Sequence, residues 1–295
     1  VTYQLTSNTA ALIQQTVQDF VIDPLVASSV ILAQNPRTFR TAAPIRVPSL
    51  ASAAGNIATY AEGAQIANND VSFSEIDLMP TTLDSFGTIT VISNRTIRAA
   101  VLGVTEVLQD RIVQDLQLAV DYAFIQGSGT AGVNVIGLLN QPSILTQTYA
   151  ALGSGATPAV GSLGDPDTYL AALGTFSLNH LNLATSKWLV HPADWYGSIL
   201  TAKDSLGRPL VVADVTGATP GSIYGQPVIV TTQTVSGTVA LIDFSKVLVA
   251  IDELPQVQVL IERYADFDAT GIKVVARADV QLAHPQGVLA ITAAA

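Results

Sequence analysis

With 295 residues, 49% hydrophobic and only 12% charged, the chain is long enough for one large domain or two intertwined ones, and it carries well under the ~25% charge usual in soluble domains. Thirteen Lys and Arg against twenty-three Asp and Glu leave a net charge of −10, which disfavours binding to phosphate backbones, because that binding needs clustered cations. Cysteine is absent, which excludes disulfides, thiolate metal ligands and cysteine nucleophiles, and so little charge implies that much of the surface meets protein.

Residues 1–45 read as a mostly extended N-terminal arm. One short amphipathic stretch, Leu12-Ile13, Val17 and Phe20-Val21, is interrupted by Asp23-Pro24. Asn35-Pro36, Ala43-Pro44 and Val47-Pro48 push each residue before a proline toward extended backbone. The opening residues lack a basic stretch followed by an apolar core, and no apolar run reaches the ~18 residues of a membrane span, so neither a signal peptide nor a membrane is expected.

Residues 46–93 read as a long hairpin with connecting strands. Val71 and Phe73 alternate in one phase, Ile76 and Leu78 in the other, which predicts a bulge near Glu75. A small polar tip, 51–69, carries Gly55 and Gly63, and Thr88-Ile89-Thr90-Val91 reads as a further strand. In residues 94–142 the spacing predicts a helix over Val104–Gln126. Val104, Leu108, Ile112, Leu116, Val120 and Phe124 recur every fourth residue, flanked by polar Glu106, Gln117 and Asp121. Gly127 is expected to end it as a left-handed cap.

An Ala, Gly, Ser and Thr-rich stretch, 143–165, reads as an internal boundary. It opens an α/β segment over 143–245, with helices from about Asp167 to Leu178 and from about Pro192 to Lys203, and a strand at Lys187–Val190 between them. Residues 246–295 return to β pattern. Val257, Val259 and Ile261 alternate, and Ile272, Val274, Ala276, Ala278, Val280 and Leu282 keep strict period two with Lys273, Arg277, Asp279 and Gln281 as polar partners.

Chemistry finds little purchase. The run Gly127-Ser128-Gly129-Thr130-Ala131-Gly132 follows a helix, whereas a phosphate-cradling loop must open one. Asp266-Phe267-Asp268-Ala269-Thr270-Gly271 copies the opening of a calcium loop, but Arg277 stands where its bidentate carboxylate belongs, so a turn between strands is expected. His180, His191 and His284 have no metal-site spacing, and the last two precede prolines, as residues at element ends do. Asp252-Glu253 reads as an exposed acidic pair. No enzyme activity, catalytic residue, metal or cofactor is expected.

Several phrases in order carry a resemblance: Ala61-Glu62-Gly63 and Val71-Ser72-Phe73 in the hairpin, Val91-Ile92-Ser93, and Asp121-Tyr122-Ala123-Phe124-Ile125-Gln126-Gly127 closing the long helix. Gly137-Leu138-Leu139, His191-Pro192 and Tyr224-Gly225-Gln226-Pro227-Val228 follow. Over about its whole length the chain resembles the tailed-bacteriophage major capsid proteins of the Hong Kong 97-like fold. The resemblance implies an α+β fold with N-terminal arm, E-loop hairpin, long spine helix, P-domain sheet and central A-domain.

It also implies a virion protein, assembled in the bacterial host cytoplasm, that forms pentamers and hexamers and an icosahedral head around double-stranded DNA. Scaffold, maturation protease, portal and decoration proteins would be its partners, and Glu75, Gly87 and Gly103 its flexing points. The assembly contacts are expected at Phe20, Ile57, Tyr60, Glu62, Phe73, Arg98, Arg111 and Arg208. Some relatives weld subunits through an E-loop lysine, but residues 1–186 contain no lysine, so no such cross-link is expected. The alternative within the fold is an encapsulin nanocompartment. A hydrolase or nucleotide-binding enzyme, or a surface-layer protein, would be the alternatives outside it.

Overall fold

The computed structural model describes residues 29–41, 43–50, 73–95, 104–129, 135–149, 163–179, 181–203, 206–207, 221–252, 256–260 and 262–293. In chain order the elements are β1 (Arg37–Arg40), β2 (Ile45–Leu50), β3 (Phe73–Leu78), β4 (Phe86–Ser93), α1 (Val104–Gln126), β5 (Leu145–Tyr149), α2 (Pro166–Leu178), β6 (Ser186–Val190) and α3 (Pro192–Asp194). Then come β7 (Ser222–Ile223), β8 (Gln226–Val230), β9 (Val239–Asp243), β10 (Val247–Ile251), β11 (Gln256–Leu260), β12 (Ala269–Ala276), β13 (Ala278–Leu282) and β14 (Val288–Ala293).

The central sheet has six strands in the order β5-β14-β9-β6-β8-β7. β9 is buried along its whole length, as an apolar strand covered on both faces must be. α2 lies against this sheet. Asp165 caps it by accepting Asp167 N–H (3.0 Å), Pro166 occupies its first turn, and Tyr169 and Phe176 turn inward toward Trp188. Tyr169 meets the Trp188 ring edge-on at 5.3 Å. Burial raises the Tyr169 hydroxyl far above its usual range, and that hydroxyl donates to Leu163 O (2.7 Å).

A second core gathers around α1, which at ~1.5 Å per residue is about 35 Å long. Ile112, Leu116, Val120, Phe124 and Ile125 pack with Val247, Val249, Val274, Val280 and Leu282, and the same cluster takes in Ile31, Leu32, Leu78 and Met79. Two small sheets supply those strands, β1-β10-β13 and β11-β12-β4. The six inward residues of the period-two run keep one phase from Ile272 to Leu282 although the strand breaks at Arg277 and passes from one small sheet to the other.

The end of α1 explains the phrase Gly137 to Gln141. Gly127 N–H donates to Ala123 O (2.9 Å), Leu138 N–H to Phe124 O (2.7 Å) and Leu139 N–H to Ile125 O (3.1 Å). The Asn140 carboxamide donates to Gln126 O and Gly127 O, both at 3.0 Å. All four carbonyls that a helix leaves unpaired at its C-terminus are thereby satisfied. Gln141 Nε2 continues the tie, donating to Ile136 O (3.0 Å) and Val280 O (3.2 Å).

Several expectations need correction. Gly127 is not in the left-handed region; glycine is required there because an added Cβ would lie 2.1 Å from Val135 O and 2.5 Å from Ala123 O. β2 and β3 pair in unbroken register from Ile45↔Leu78 to Leu50↔Phe73, so there is no bulge at Glu75, and the flexing point inferred from it loses its basis. Gly87 sits inside β4 in ordinary contact with β12, and Gly103 lies outside the described residues. The helix expected over Pro192–Lys203 is only α3 and a following π turn, Trp195–Ile199. The Ala and Thr-rich boundary contains β5, parallel to β14. Asp252 is largely buried beside Arg277 (3.9 Å), not solvated, and Glu253 lies outside the described residues.

Candidate assembly surface

Two buried carboxylates, Asp121 and Asp279, tie Ser29–Val30 and Met79 to the α1 core. Asp121, 1% exposed, accepts the Ser29 hydroxyl (2.5 Å) and Val30 N–H (3.0 Å). Ser29 Oγ in turn accepts Leu32 N–H (3.2 Å). From the other side Gln34 donates to Val30 O (3.2 Å) and accepts from Lys187 Nζ (2.5 Å). At the hairpin's return, Asp279 accepts Met79 N–H and Val280 N–H, both at 2.9 Å. Met79, the only methionine in the chain, has φ 56°, a conformation costing a non-glycine residue ~1 kcal/mol or more, which Asp279 helps to hold.

Desolvation raises the pKa of both carboxyls, and the hydrogen bonds they accept oppose the rise. Sequence pattern had placed Asp121 among the polar flanks of the helix. Its position four residues before the buried Ile125 was the available sign that it lies on the apolar stripe. Asp279 was read as a solvent-side partner because β13 alternates, but the strand is covered on both faces.

The hairpin itself is a two-stranded ribbon that packs one face on the α1 core through Ile45, Val47, Ile76 and Leu78. Arg46 on β2 reaches both Glu75 (3.2 Å) and Asp77 (3.3 Å) on β3, but all three are largely exposed, so these pairs add little. Phe73, at the far end of β3, is 73% exposed. Arg111 on α1 is also exposed and is paired with Asp115 (3.0 Å) one turn along. Phe20, Ile57, Tyr60, Glu62, Arg98 and Arg208 lie outside the described residues.

Other apolar side chains are left facing outward: Ile89 and Val91 on one face of β4, Leu118 and Tyr122 on α1, and Leu170 and Leu178 on α2. Tyr122 borders a groove shared with Phe86, Ala119, Ala123 and Val135.

The glycine run departs from the C-terminal end of α1, where carbonyls and a negative dipole would repel a phosphate. The calcium-like sequence covers the end of a 3₁₀ segment, Glu262–Phe267, a left-handed Asp268 and the first three residues of β12. Asp268 accepts from Asn94 Nδ2 (2.9 Å), and among the described residues no group of three metal-ligating side chains comes together. His191 caps α3 through Nδ1, and His180 lies outside the described residues.

The same architecture occurs in known shells. The capsid of a native GTA particle matches with a TM-score of 0.69 and 18% identity, over 92% of this chain and 91% of that one. A protein of Microbacterium phage Oxtober96 matches with a TM-score of 0.67 and 18% identity, over 90% and 91%. The virus-like particle of Pyrococcus furiosus matches less well, with a TM-score of 0.57 and 12% identity over 94% and 98%. The subunit therefore has the Hong Kong 97-like fold. The phage capsid family model matches residues 9–293, and the chain belongs to that family. No curated protein sequence matches it. Family membership implies a structural, non-enzymatic role and does not favour the nanocompartment alternative.

Proposed function

We propose that this capsid protein is the major shell subunit of a tailed-phage head, assembling as pentamers and hexamers into an icosahedral container for double-stranded DNA. The observation that supports the reading is the match of the phage capsid family model over residues 9–293, together with Phe73 left exposed at the end of the β2–β3 ribbon. In this reading 1–45 is the arm, 46–93 the E-loop, 94–142 the spine segment, 143–245 the A-domain and 246–295 the returning P-domain strands, to which the A-domain sheet owes its strand β14. Phe20, Ile57, Tyr60, Glu62, Phe73, Arg98, Arg111 and Arg208 make contacts between copies.

Scaffold, maturation protease, portal and decoration proteins act with it in the host cytoplasm, and the finished product is the virion. The net charge of −10 suits a lining that encloses DNA without gripping it. Sedimentation velocity tests the reading: the purified chain is expected to form particles of many subunits, and Phe73→Asp to shift the protein toward small species while its circular dichroism stays unchanged. Particles from the Phe73→Asp chain equal in size to those of the parent would remove Phe73 from the interface, and a parent that never exceeds a dimer would remove the function.

The lysine-free stretch through residue 186 leads to a second expectation. Under denaturing conditions, mass spectrometry of assembled particles should give single chains with no covalent oligomers. A ladder of covalent oligomers would contradict it.

A further inference from the structure

We propose that the groove between α1 and the start of β4 is a socket for this chain's own residues 12–21: in the free subunit their apolar stripe lies along Leu118 and Tyr122 and fills it. The free subunit alone is needed for this. In the shell, the contact that Phe20 makes between copies is the same fit with the segment exchanged between neighbours.

The socket is open and largely apolar. Phe86 of β4, Ala119 and Ala123 of α1, and Val135 line a groove of about 480 Å³, with Tyr122 at its border. Tyr122 is 55% exposed and Leu118, one turn earlier on α1, is 47% exposed. Ala119 and Ala123 are small, so a second backbone can approach α1 closely along this face. Asp84 is the only charged residue among those lining the groove, so nothing there attracts a phosphate.

Residues 12–21, outside the described residues, carry the matching stripe in their sequence. At ~100° per residue, Leu12, Ile13, Val17, Phe20 and Val21 share one half of a helical circle, and Gln14, Gln15, Gln18 and Asp19 share the other. The pattern stops at Asp23-Pro24. An amphipathic stripe of this kind is stable as a helix only against a surface that covers its apolar half.

The connection brings stripe and socket together. Ser29, the first described residue, is tied to Asp121 of α1 (2.5 Å). At ~3.6 residues per turn, Leu118 and Tyr122 stand on α1 between Asp121 on one side and Ala119 and Ala123 on the other. A chain passing outward from Ser29 therefore crosses the two exposed apolar residues before it meets the groove. Phe20 is nine residues before Ser29, an extended reach of roughly 30 Å, whereas a whole helix with its side chains is only ~10–12 Å wide. So short a tether gives the chain's own segment an effective concentration of order millimolar, far above that of a second copy in dilute solution.

Because the chain has no cysteine, an engineered pair reports on one contact only. The full chain carrying Val17→Cys with Ala119→Cys, or Val17→Cys with Ala123→Cys, is oxidised in dilute solution, and Val17→Cys with Leu178→Cys on the exposed side of α2 is the control. An intrachain disulfide is expected in at least one groove pair and not in the control, read as a single-chain band on non-reducing electrophoresis and a loss of two hydrogens from the intact mass. Covalent dimers in its place would overturn the proposal in favour of a second copy as occupant. No bond in either groove pair, or as much in the control, would overturn it outright. Chymotrypsin gives an independent reading, since a seated Phe20 is cut only when the stripe leaves the socket. Ala119→Glu, a change at an exposed helical position, should speed cleavage after Phe20 by about tenfold at unchanged circular dichroism, and cleavage at the parent rate would also overturn the proposal. Shell assembly is read separately by sedimentation, so a chain that forms shells without the intrachain bond loses the socket and keeps the function.

Discussion

Gly127→Ala is expected to destabilise the subunit by about 3 kcal/mol or more, enough to leave much of the protein insoluble. The added methyl would be 2.1 Å from Val135 O and 2.5 Å from Ala123 O, and both contacts are backbone, which cannot rotate away as a side chain can. Relief would have to move the loop that caps α1, and with it the bonds from Leu138, Leu139 and Asn140. Gly174→Ala provides the contrast. It lies on the exposed face of α2, where a Cβ meets nothing within 4 Å, and alanine there should stabilise by about 0.5–1 kcal/mol. Urea midpoints of the purified variants at unchanged m-value would check both, and equal effects at the two glycines would refute the steric account.

Trp188→Ala should cost about 3–5 kcal/mol. Trp188 is fully buried at the centre of the six-stranded sheet, meets Tyr169 edge-on, and donates its indole N–H to Ile223 O (3.3 Å). Its removal leaves a cavity between the sheet and α2, and the ladders that tie β6 to β8 and β9 keep the sheet from collapsing to fill it. Trp188→Phe should recover most of the loss. Thermal unfolding of the three proteins would show the order parent, then Phe, then Ala. A Trp188→Ala protein as stable as Trp188→Phe would contradict the packing described.

How far the sequence reveals this depends on how local the determining physics is. The four-residue recurrence from Val104 to Phe124 predicts α1 over the range it occupies, because a long helix buried on one stripe must repeat at that spacing. α2 is equally legible, with Asp165-Pro166 marking its start. β5 was not, since its Thr146 and Thr148 resemble the surrounding linker and its strand state comes from pairing with β14, more than a hundred residues away. The bulge expected at Glu75 failed because a phase change in hydrophobicity also arises when a residue such as Phe73 points outward, away from its own subunit's core.

Of the candidate surface, the exposed Phe73 was legible as an apolar residue out of phase with Ile76 and Leu78, which face the core. The two anchoring carboxylates were not, because an aspartate among apolar residues reads as a polar flank until its partners, Ser29 and Val30 in one case and Met79 in the other, are brought beside it.

Electron microscopy of the purified full chain, negatively stained over a range of salt and protein concentration, tests the central claim most directly, because closed assembly is the property that separates a shell subunit from a soluble enzyme of similar size. The account predicts uniform polyhedral shells, or rings of five and six subunits. A field of monomers and dimers under every condition would contradict it.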